Sequence, residues 1–332
     1  MKYLITGGAG FIGSHLADKL IEQGHDVHIV DNLSTGRLAN IQHLVGNEHF
    51  KSTIADILDY HMLEQLVAQC DQIFHMAAAV GVKLIMEKPV ETITTNVGGT
   101  ENVLKLAVNY DKKVFIASTS EVYGKKMEFD EEVHGLNEEH DIILGPTNKR
   151  RWAYACTKAM DEFLALAYYD EKRLPVVIAR YFNTVGPRQT EQYGMVVPNF
   201  VQRALLNEPI YVHGDGEQTR SFTHVKDAVE ATIDLMNHSQ AEGQVFNIGH
   251  GHEISMNDLA KTVCQMTHSS SEIILVPYTK AYGKGFEDMR RRTPDISKLK
   301  NTVGYEPSRP IDEILKAVVD FYRKENSGLV AL

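Results

Sequence analysis

The stretch MKYLITGGAGFIGSHLADKL, residues 1–20, decides the fold of this chain. It opens with a short apolar run, residues 3–5, and a glycine-rich turn follows at once. Ile12, Leu16 and Leu20 then recur at the spacing of a helix. Strand, turn and helix in immediate succession predict the first unit of a parallel sheet that is flanked by helices.

The glycines of this turn, Gly7, Gly10 and Gly13, have the spacing G-x-x-G-x-x-G. Backbone without a Cβ atom can approach a pyrophosphate closely, and the helix N-terminus offers free N–H groups and the positive end of its dipole. A tight turn that only packs a helix against a sheet has the same spacing, so the glycines alone are weak evidence for dinucleotide binding.

Asp31 strengthens this interpretation. It ends the next apolar strand, residues 27–30, and lies eighteen residues past Gly13. A carboxylate there accepts hydrogen bonds from both ribose hydroxyls of adenosine and repels a 2′-phosphate, which favours NAD over NADP. Because Arg37 lies nearby, NADP remains an alternative cofactor.

The rest of the chain repeats the alternation of strands and helices up to about residue 181. Apolar runs predict strands at 72–77, 113–118 and 175–180, and helical patterns occur around 61–69, 96–110 and 152–169. This order predicts an α/β fold of the Rossmann type, a doubly wound parallel sheet with helices on both faces.

Beyond residue 181, loops rich in glycine and proline separate helical stretches at 196–206 and 226–237. We therefore expect an NAD-binding Rossmann domain over residues 1–180 and a smaller, irregular α/β domain, mainly for substrate binding, over residues 181–332. The boundary is soft, and we expect the chain to cross it more than once.

Composition excludes several classes of function. A formal net charge of −10 argues against nucleic-acid binding. Cys70, Cys156 and Cys264 are far apart and form no C-x-x-C pair, which argues against disulfides and a metal site and is typical of a reducing compartment such as the cytoplasm. The sequence contains no run of 18 apolar residues, so no membrane span is expected.

Tyr154 and Lys158 stand at i and i+4 on one predicted helix face. A lysine ammonium beside a phenol favours the phenolate, so we expect Lys158 to lower the pKa of Tyr154. Such a tyrosine takes a proton from a substrate hydroxyl while hydride leaves to nicotinamide. A second pair, Tyr168 and Lys172, lies about 21 Å further along the helix and cannot serve the same site.

The segment ASTSEVYG, residues 117–124, selects the first pair because it follows an apolar strand, where a parallel sheet presents groups to ligands. Thr119 and Ser120 suit a substrate hydroxyl, although Ser/Thr turns are common at such places. Glu121 is either an acid or base or the partner of a basic residue. His75, on an apolar strand, is expected to be structural.

Taken together, TGGAGFIG, ASTSEVYG, the Tyr154/Lys158 pair, RYFNTVGPR and GDGEQTRSFTHVKD resemble the extended short-chain dehydrogenases/reductases that remodel nucleotide sugars. The resemblance runs from residue 1 to about residue 325. It implies a catalytic triad of Thr119, Tyr154 and Lys158. The NAD contacts that it implies are Gly7, Gly10, Phe11, Ile12, Gly13, Asp31, Asn32, Asp56, Ala77 and Asn96. It also implies that Asn183 is a sugar-diphosphate ligand and that Arg220 and Arg292 contact diphosphate or nucleoside.

Enzymes of this kind oxidise C4 of the sugar to a ketone and then differ in how they use it. TSEVYG is similar to UDP-glucuronate decarboxylases, which form UDP-xylose, whereas the dehydratases carry Asp-Glu where this chain has Ser120 and Glu121. GPTNKRRWAYACTK, residues 145–158, resembles the bacterial oxidative decarboxylase of the aminoarabinose route and the plant UDP-apiose/UDP-xylose synthase, which also have Arg-Trp before the tyrosine. Arg151, with Lys149 or Arg150 as further candidates, is therefore expected to meet a uronate carboxylate; the alternative is a solvated basic loop.

The favoured function is NAD-dependent decarboxylation of UDP-glucuronate to UDP-xylose or a UDP-4-keto-pentose. The alternatives are 4-epimerisation of a UDP-hexose or UDP-hexuronate, 4,6-dehydration, and a non-catalytic NAD(H)-binding regulator. Met195 favours epimerisation, because enzymes that form UDP-xylose have an arginine there. A homodimer is expected, because helices 96–110 and 152–169 are apolar on more than one side.

Overall fold

A computed structural model describes residues 1–81, 85, 87–130, 132–190, 195–281 and 289–329. Its centre is a sheet of seven parallel strands in the order β3-β2-β1-β4-β5-β6-β11. These strands are β1 Lys2–Thr6, β2 Asp26–Asp31, β3 Phe50–Ile54, β4 Gln72–His75, β5 Lys113–Thr119, β6 Val176–Tyr181 and β11 Gln244–Ile248. The described helices beside the sheet include α1 Phe11–Glu22, α2 Tyr60–Val67, α3 Pro89–Asn109, α5 Trp152–Lys172, α7 Val225–Asn237 and α10 Ser297–Val303, and a short helix, α4 Lys126–Phe129, follows β5.

The sheet is buried on both faces, as is usual for parallel strands covered by helices. Successive residues of β1 alternate between two hydrophobic clusters: Tyr3 and Ile5 belong to one and Leu4 to the other. The first cluster contains residues of α1 and α7, and the second contains residues of α2, α3 and α5. This confirms the predicted Rossmann-type fold with helices on both faces.

A smaller part of the chain lies beyond the carboxyl ends of the strands. It contains three two-stranded sheets, built from β7 Thr184–Val185, β8 Ile210–His213, β9 Thr219–Ser221, β10 Thr223–His224, β12 Glu253–Ser255 and β13 Ile273–Val276. Its helices are α6 Val196–Leu205, α8 Met256–Thr267, α9 Tyr278–Ala281 and α11 Ile311–Leu329. A third hydrophobic cluster joins α6, α8 and α11.

The sequence patterns did not predict strands β3 and β11. Strand β3 is an edge strand with the sequence FKSTI, and only Phe50 is buried, so its apolar pattern is weak. Strand β11 pairs with β6, although it follows the change of pattern at residue 181. The chain thus contributes to the large sheet from both sides of residue 180, while a division into two domains at that residue stays a prediction. None of the helices within the described ranges has the length and apolar character needed to cross a bilayer.

Candidate active site

A cavity of about 580 Å³ lies between the carboxyl edge of the sheet and the smaller part of the chain. It brings together most of the residues that the sequence selected: Gly7, Gly10, Phe11, Ile12, Gly13, Asp31, Asn32, Ala77, Thr119, Ser120, Glu121, Arg151, Tyr154, Asn183, Arg220 and Arg292. Asp56, Asn96 and Lys158 are not among the residues that line it. The cavity therefore joins the glycine turn to the tyrosine in one continuous space.

The glycine turn is packed too closely for any side chain. A Cβ atom on Gly13 would lie 2.3 Å from the carbonyl oxygen of Gly7, and one on Gly7 would lie 2.7 Å from the backbone nitrogen of Ala77. Gly7 also has φ +71°, a conformation that favours glycine. No side chain caps helix α1 at Gly10, so the helix N-terminus faces the cavity with its own N–H groups, as the pyrophosphate of NAD requires.

Asp31 is held at the end of β2 by backbone donors. The N–H of Ala9 donates to its carboxylate at 3.0 Å and the N–H of Leu33 at 2.8 Å. Burial raises the pKa of Asp31, and these hydrogen bonds oppose that shift. The carboxylate lines the cavity with a fixed orientation, which suits the ribose hydroxyls of an adenosine.

Two of the residues predicted to contact NAD do not line the cavity and support the loops beside it; their contact with NAD stays a prediction. Asp56 accepts from the side-chain nitrogen of Asn32 at 3.0 Å. Asn96 is buried, accepts from the backbone N–H of Ala79 at 2.8 Å and donates to the hydroxyl of Thr157 at 3.1 Å. Because its amide is occupied in this way, Asn96 orders the loop after β4 rather than facing the cavity.

Tyr154 lies in the first turn of helix α5, and Thr119 is the last residue of strand β5. Burial raises the pKa of Tyr154, and the carboxylates of Glu121 and Asp161 raise it further, while the hydroxyl of Thr119 and the guanidinium of Arg292 act in the opposite direction. The expected lowering of this pKa by Lys158 is therefore not what the structure shows.

Burial is the largest cause of this difference, and a further cause lies one turn further along the helix. The ammonium of Lys158 donates to the carboxylate of Asp161 at 2.8 Å, and both side chains are buried. A cation with an adjacent anion exerts much less net field on a phenol than a lone cation. Sequence spacing identified the Tyr154/Lys158 pair but gave no reason to examine Asp161.

Glu121 is part of a charged network at the floor of the cavity. Its carboxylate lies 3.7 Å from the guanidinium of Arg292, which donates to the side-chain oxygen of Asn183 at 2.6 Å. The backbone N–H of Glu121 donates to the hydroxyl of Thr119 at 3.2 Å. Of the two roles left open by the sequence, the structure shows Glu121 with a basic partner. Arg292 thereby lies close to the tyrosine rather than remote from it.

The basic stretch before helix α5 divides its charges between two environments. Arg150 is exposed, whereas Arg151 is buried, lines the cavity and lies 5.3 Å from the centre of the Trp152 ring. Lys149 is half-buried. Only one of the three cations thus faces the cavity, and the interpretation as a purely solvated basic loop does not hold for Arg151.

Further along the cavity, Arg220 is buried on strand β9 and donates to the carbonyl of Thr219 at 2.7 Å. The pattern of the sequence did not single out Arg203 or Tyr211, which also line the cavity and lie 4.8 Å apart as a cation–π pair. Arg203 lies in the predicted helical stretch 196–206. The sequence offered only one hint of a binding role for Arg203, namely a cation on a helix that begins next to Met195, and Met195 also lines the cavity.

His75 and Tyr168 lie outside the cavity, and their contacts indicate structural roles. His75 has hydroxyl partners on both ring nitrogens, Thr6 at 2.7 Å and Thr100 at 3.1 Å, and burial lowers its pKa to about 3. Tyr168 packs against the second hydrophobic cluster. Neither is placed to contact a ligand in the cavity.

Comparison with known proteins agrees with this geometry. Residues 4–318 match the family model described as GDP-mannose 4,6 dehydratase. The chain is 45% identical to a UDP-N-acetyl-alpha-D-glucosaminuronate decarboxylase of Bacillus cytotoxicus, with 97% of this chain and 98% of that protein covered. It is 39% identical to UDP-glucuronic acid decarboxylase 1 of Xenopus tropicalis, with 98% of this chain and 72% of that protein covered.

Among solved structures, the chain is similar to a UDP-glucuronic acid 4-epimerase of Bacillus cereus in complex with UDP-glucuronic acid and NAD. The two are 28% identical, with a TM-score of 0.87, and the match covers 98% of this chain and 100% of the other. The names of these three proteins share an acidic UDP-sugar but differ in the reaction, since two are decarboxylases and one is a 4-epimerase.

Proposed function

This chain belongs to the GDP-mannose 4,6-dehydratase family of extended short-chain dehydrogenases/reductases, and we propose that it is an NAD-dependent decarboxylase of a UDP-hexuronic acid. The relatives named above support this proposal over 4,6-dehydration, as does Ser120 in place of the acid that dehydratases carry. Since those relatives are enzymes, the alternative of a non-catalytic regulator is set aside.

The cavity has the charge that such a substrate needs. Four arginines among the described residues line the cavity: Arg151, Arg203, Arg220 and Arg292. A UDP-hexuronic acid is anionic at its diphosphate and again at C6, and guanidinium groups bind both phosphate and carboxylate in a bidentate manner. Arg220 and Arg203 suit the nucleotide end, and Arg151 and Arg292, which lie beside Tyr154, suit the carboxylate.

The residues at the glycine turn and Asp31 fit NAD, which supplies the acceptor for the hydride of C4 when it is bound. Tyr154, with the hydroxyl of Thr119 beside it, takes the proton of the C4 hydroxyl. The resulting C4 ketone is β to the C6 carboxylate, so the C5–C6 bond breaks, carbon dioxide leaves and the electron pair moves into an enolate at C4. The phenol of Tyr154 then stabilises that enolate by donating a hydrogen bond.

The observation that carries the proposal is the contact of Glu121 with Arg292 beside Tyr154. A 4-epimerase needs no acid at this place, whereas a decarboxylase must return a proton to C5 after carbon dioxide has left. Glu121 is half-buried, and Arg292 fixes its position at the cavity. Its carboxylate, beside Tyr154, is the group that we propose delivers that proton.

The test is an NMR time course of the purified enzyme with NAD and three substrates offered separately: UDP-glucuronate, UDP-N-acetylglucosaminuronate and UDP-glucose. We expect release of carbon dioxide and a UDP-pentose or UDP-4-keto-pentose from at least one of the two uronates. A galacto product that retains every carbon would show that the enzyme is a 4-epimerase, the reaction that Met195 favours, and would overturn the proposal.

We also propose a homodimer formed by helices α3 and α5. Val90 and Ile93 on α3 are 76% and 45% exposed, and Met160 and Phe163 on α5 are 49% and 65% exposed. The two helices pack against each other, so this apolar surface is continuous enough for a second copy. Phe163→Asp should lower the mass seen by light scattering at micromolar concentration, whereas Phe129→Asp, at another exposed phenylalanine, should not.

A cytoplasmic location is proposed as well. All three cysteines are free, which is typical of a reducing compartment. Detection of the protein in the soluble cell fraction, and not in a secreted or membrane fraction, is the check.

A further inference from the structure

The ion pair between Lys158 and Asp161 is unusual for its depth. The side chain of Asp161 is 0% exposed and that of Lys158 is 2% exposed, and their charged atoms lie 2.8 Å apart at i and i+3 of helix α5. Removing two charges from water costs several kcal/mol for each ion, so a buried pair is a poor means of gaining stability. A carboxylate at this place therefore calls for another explanation.

The charged groups near Tyr154 include three ion pairs and also Arg151, which lies three residues before it and lines the cavity. On the cavity side, Glu121 faces Arg292. On the helix itself, Lys158 pairs with Asp161, and the next residue, Glu162, pairs with Arg180 of strand β6 at 2.7 Å.

Two further side chains pack against the Lys158 pair from other elements. His75 of strand β4 feels the charge of Lys158, but burial lowers its pKa to about 3, so it is neutral under ordinary conditions. Thr100 of helix α3 contributes only a hydroxyl to Asp161. Among the described residues near Tyr154, Asp161 is thus the anion that compensates the one lysine next to the phenol.

We propose that Asp161 is a positioning residue for the catalytic pair: it fixes the ammonium of Lys158 one helical turn from Tyr154 and offsets its charge. The inference rests on the proposed roles of Tyr154 and Lys158. With Asp161 in place, Tyr154 keeps its proton more firmly than a tyrosine beside a lone lysine would. As a phenolate, Tyr154 takes the proton of the C4 hydroxyl and thereby becomes a phenol, which then donates a hydrogen bond to the enolate. An offset Lys158 charge favours this second, protonated form.

Asp161→Asn tests this directly, because it keeps the shape of the side chain and removes the charge. The measurement is the pH dependence of kcat/KM with NAD and UDP-glucuronate, or with whichever uronate is turned over. The lone Lys158 cation then favours the phenolate, so the limb of the profile that reports ionisation of Tyr154 should move to lower pH by about one unit or more. Asp170→Asn, the same change at an exposed position of the same helix, should leave the profile unmoved.

A limb that stays in place or moves to higher pH in the folded variant would overturn the proposal, whatever happens to the absolute rate. If Asp161→Asn does not fold, Asp161→Ser is smaller, equally neutral and serves the same measurement. Tyr154→Phe separates the two levels of inference. If Tyr154→Phe retains turnover, the proposed role of Tyr154 is wrong. If Tyr154→Phe is inactive but the pH profile of Asp161→Asn is unchanged, only the proposed role of Asp161 is wrong.

Discussion

The two ends of the cavity are built in opposite ways. The cofactor end is made of backbone: Gly7 and Gly13 pack against main-chain atoms, and Asp31 is fixed by the N–H groups of Ala9 and Leu33. The substrate end is made of long side chains, chiefly Arg151, Glu121 and Arg292, and the last two form an ion pair. We infer that the backbone conformation forms the cofactor end, whereas the substrate end depends on the identity of individual side chains.

Tyr154 lies where the two ends meet, so its replacement should have the largest effect on turnover. Tyr154→Phe removes the proton acceptor while keeping the ring, and losing a positioned general base costs about 10²- to 10⁴-fold in rate. We expect a loss in this range in kcat for the uronate substrate, with NAD binding unchanged because the cofactor end does not depend on the phenol.

Tyr168→Phe is the matched control on the same helix. Tyr168 packs in the second hydrophobic cluster about 21 Å along the axis, so most of the turnover should remain. Similar losses in both variants, measured by the same NMR assay, would show that Tyr154 is not the base.

The different construction of the two ends also explains how much the sequence could predict. The cofactor end is local: the glycine turn and Asp31 fall within 31 residues, and their spacing has one physical explanation. The fold followed from the same alternation of strands and helices. Strand β11 was missed because a short apolar run gives no sign of which sheet it will join.

The substrate end could be predicted only in part, because its contacts join distant segments. Arg292 lies more than a hundred residues from both Glu121 and Asn183, yet it contacts both. The resemblance suggested a role for Arg292 at the diphosphate or nucleoside, whereas its contacts place it beside Glu121. No spacing rule shows such a contact, and none showed that the carboxylate of Asp161 would meet Lys158.

Arg151 tests the substrate end by itself. A hydrogen bond to a charged group contributes about 1.5–3 kcal/mol, so Arg151→Ala should lower kcat/KM for a UDP-hexuronate by about 10- to 150-fold. UDP-glucose lacks the carboxylate, so any turnover or competitive binding of UDP-glucose should change much less.

Arg150→Ala is the matched control, since Arg150 is the preceding residue but is exposed. Equal effects of the two changes would indicate general attraction of anions by the basic stretch. Equal losses of affinity for UDP-glucuronate and UDP-glucose in Arg151→Ala would place this guanidinium at the nucleotide instead of the carboxylate.

Asp31 tests the cofactor end, and here we expect the smallest effect. The backbone of the glycine turn holds the pyrophosphate whichever side chain follows β2, so Asp31→Asn should bind NAD with only modestly lower affinity. The lost carboxylate charge no longer repels a 2′-phosphate, and the preference for NAD over NADP should narrow by about tenfold, or roughly 1.4 kcal/mol. Calorimetric titration of both cofactors measures this ratio in the wild type and in the variant.

Equal or tighter binding of NADP by the wild type would contradict the role of Asp31. A loss of NAD affinity in Asp31→Asn as large as the loss of turnover in Tyr154→Phe would show that the cofactor end also depends on a single side chain, and that the two ends are built alike.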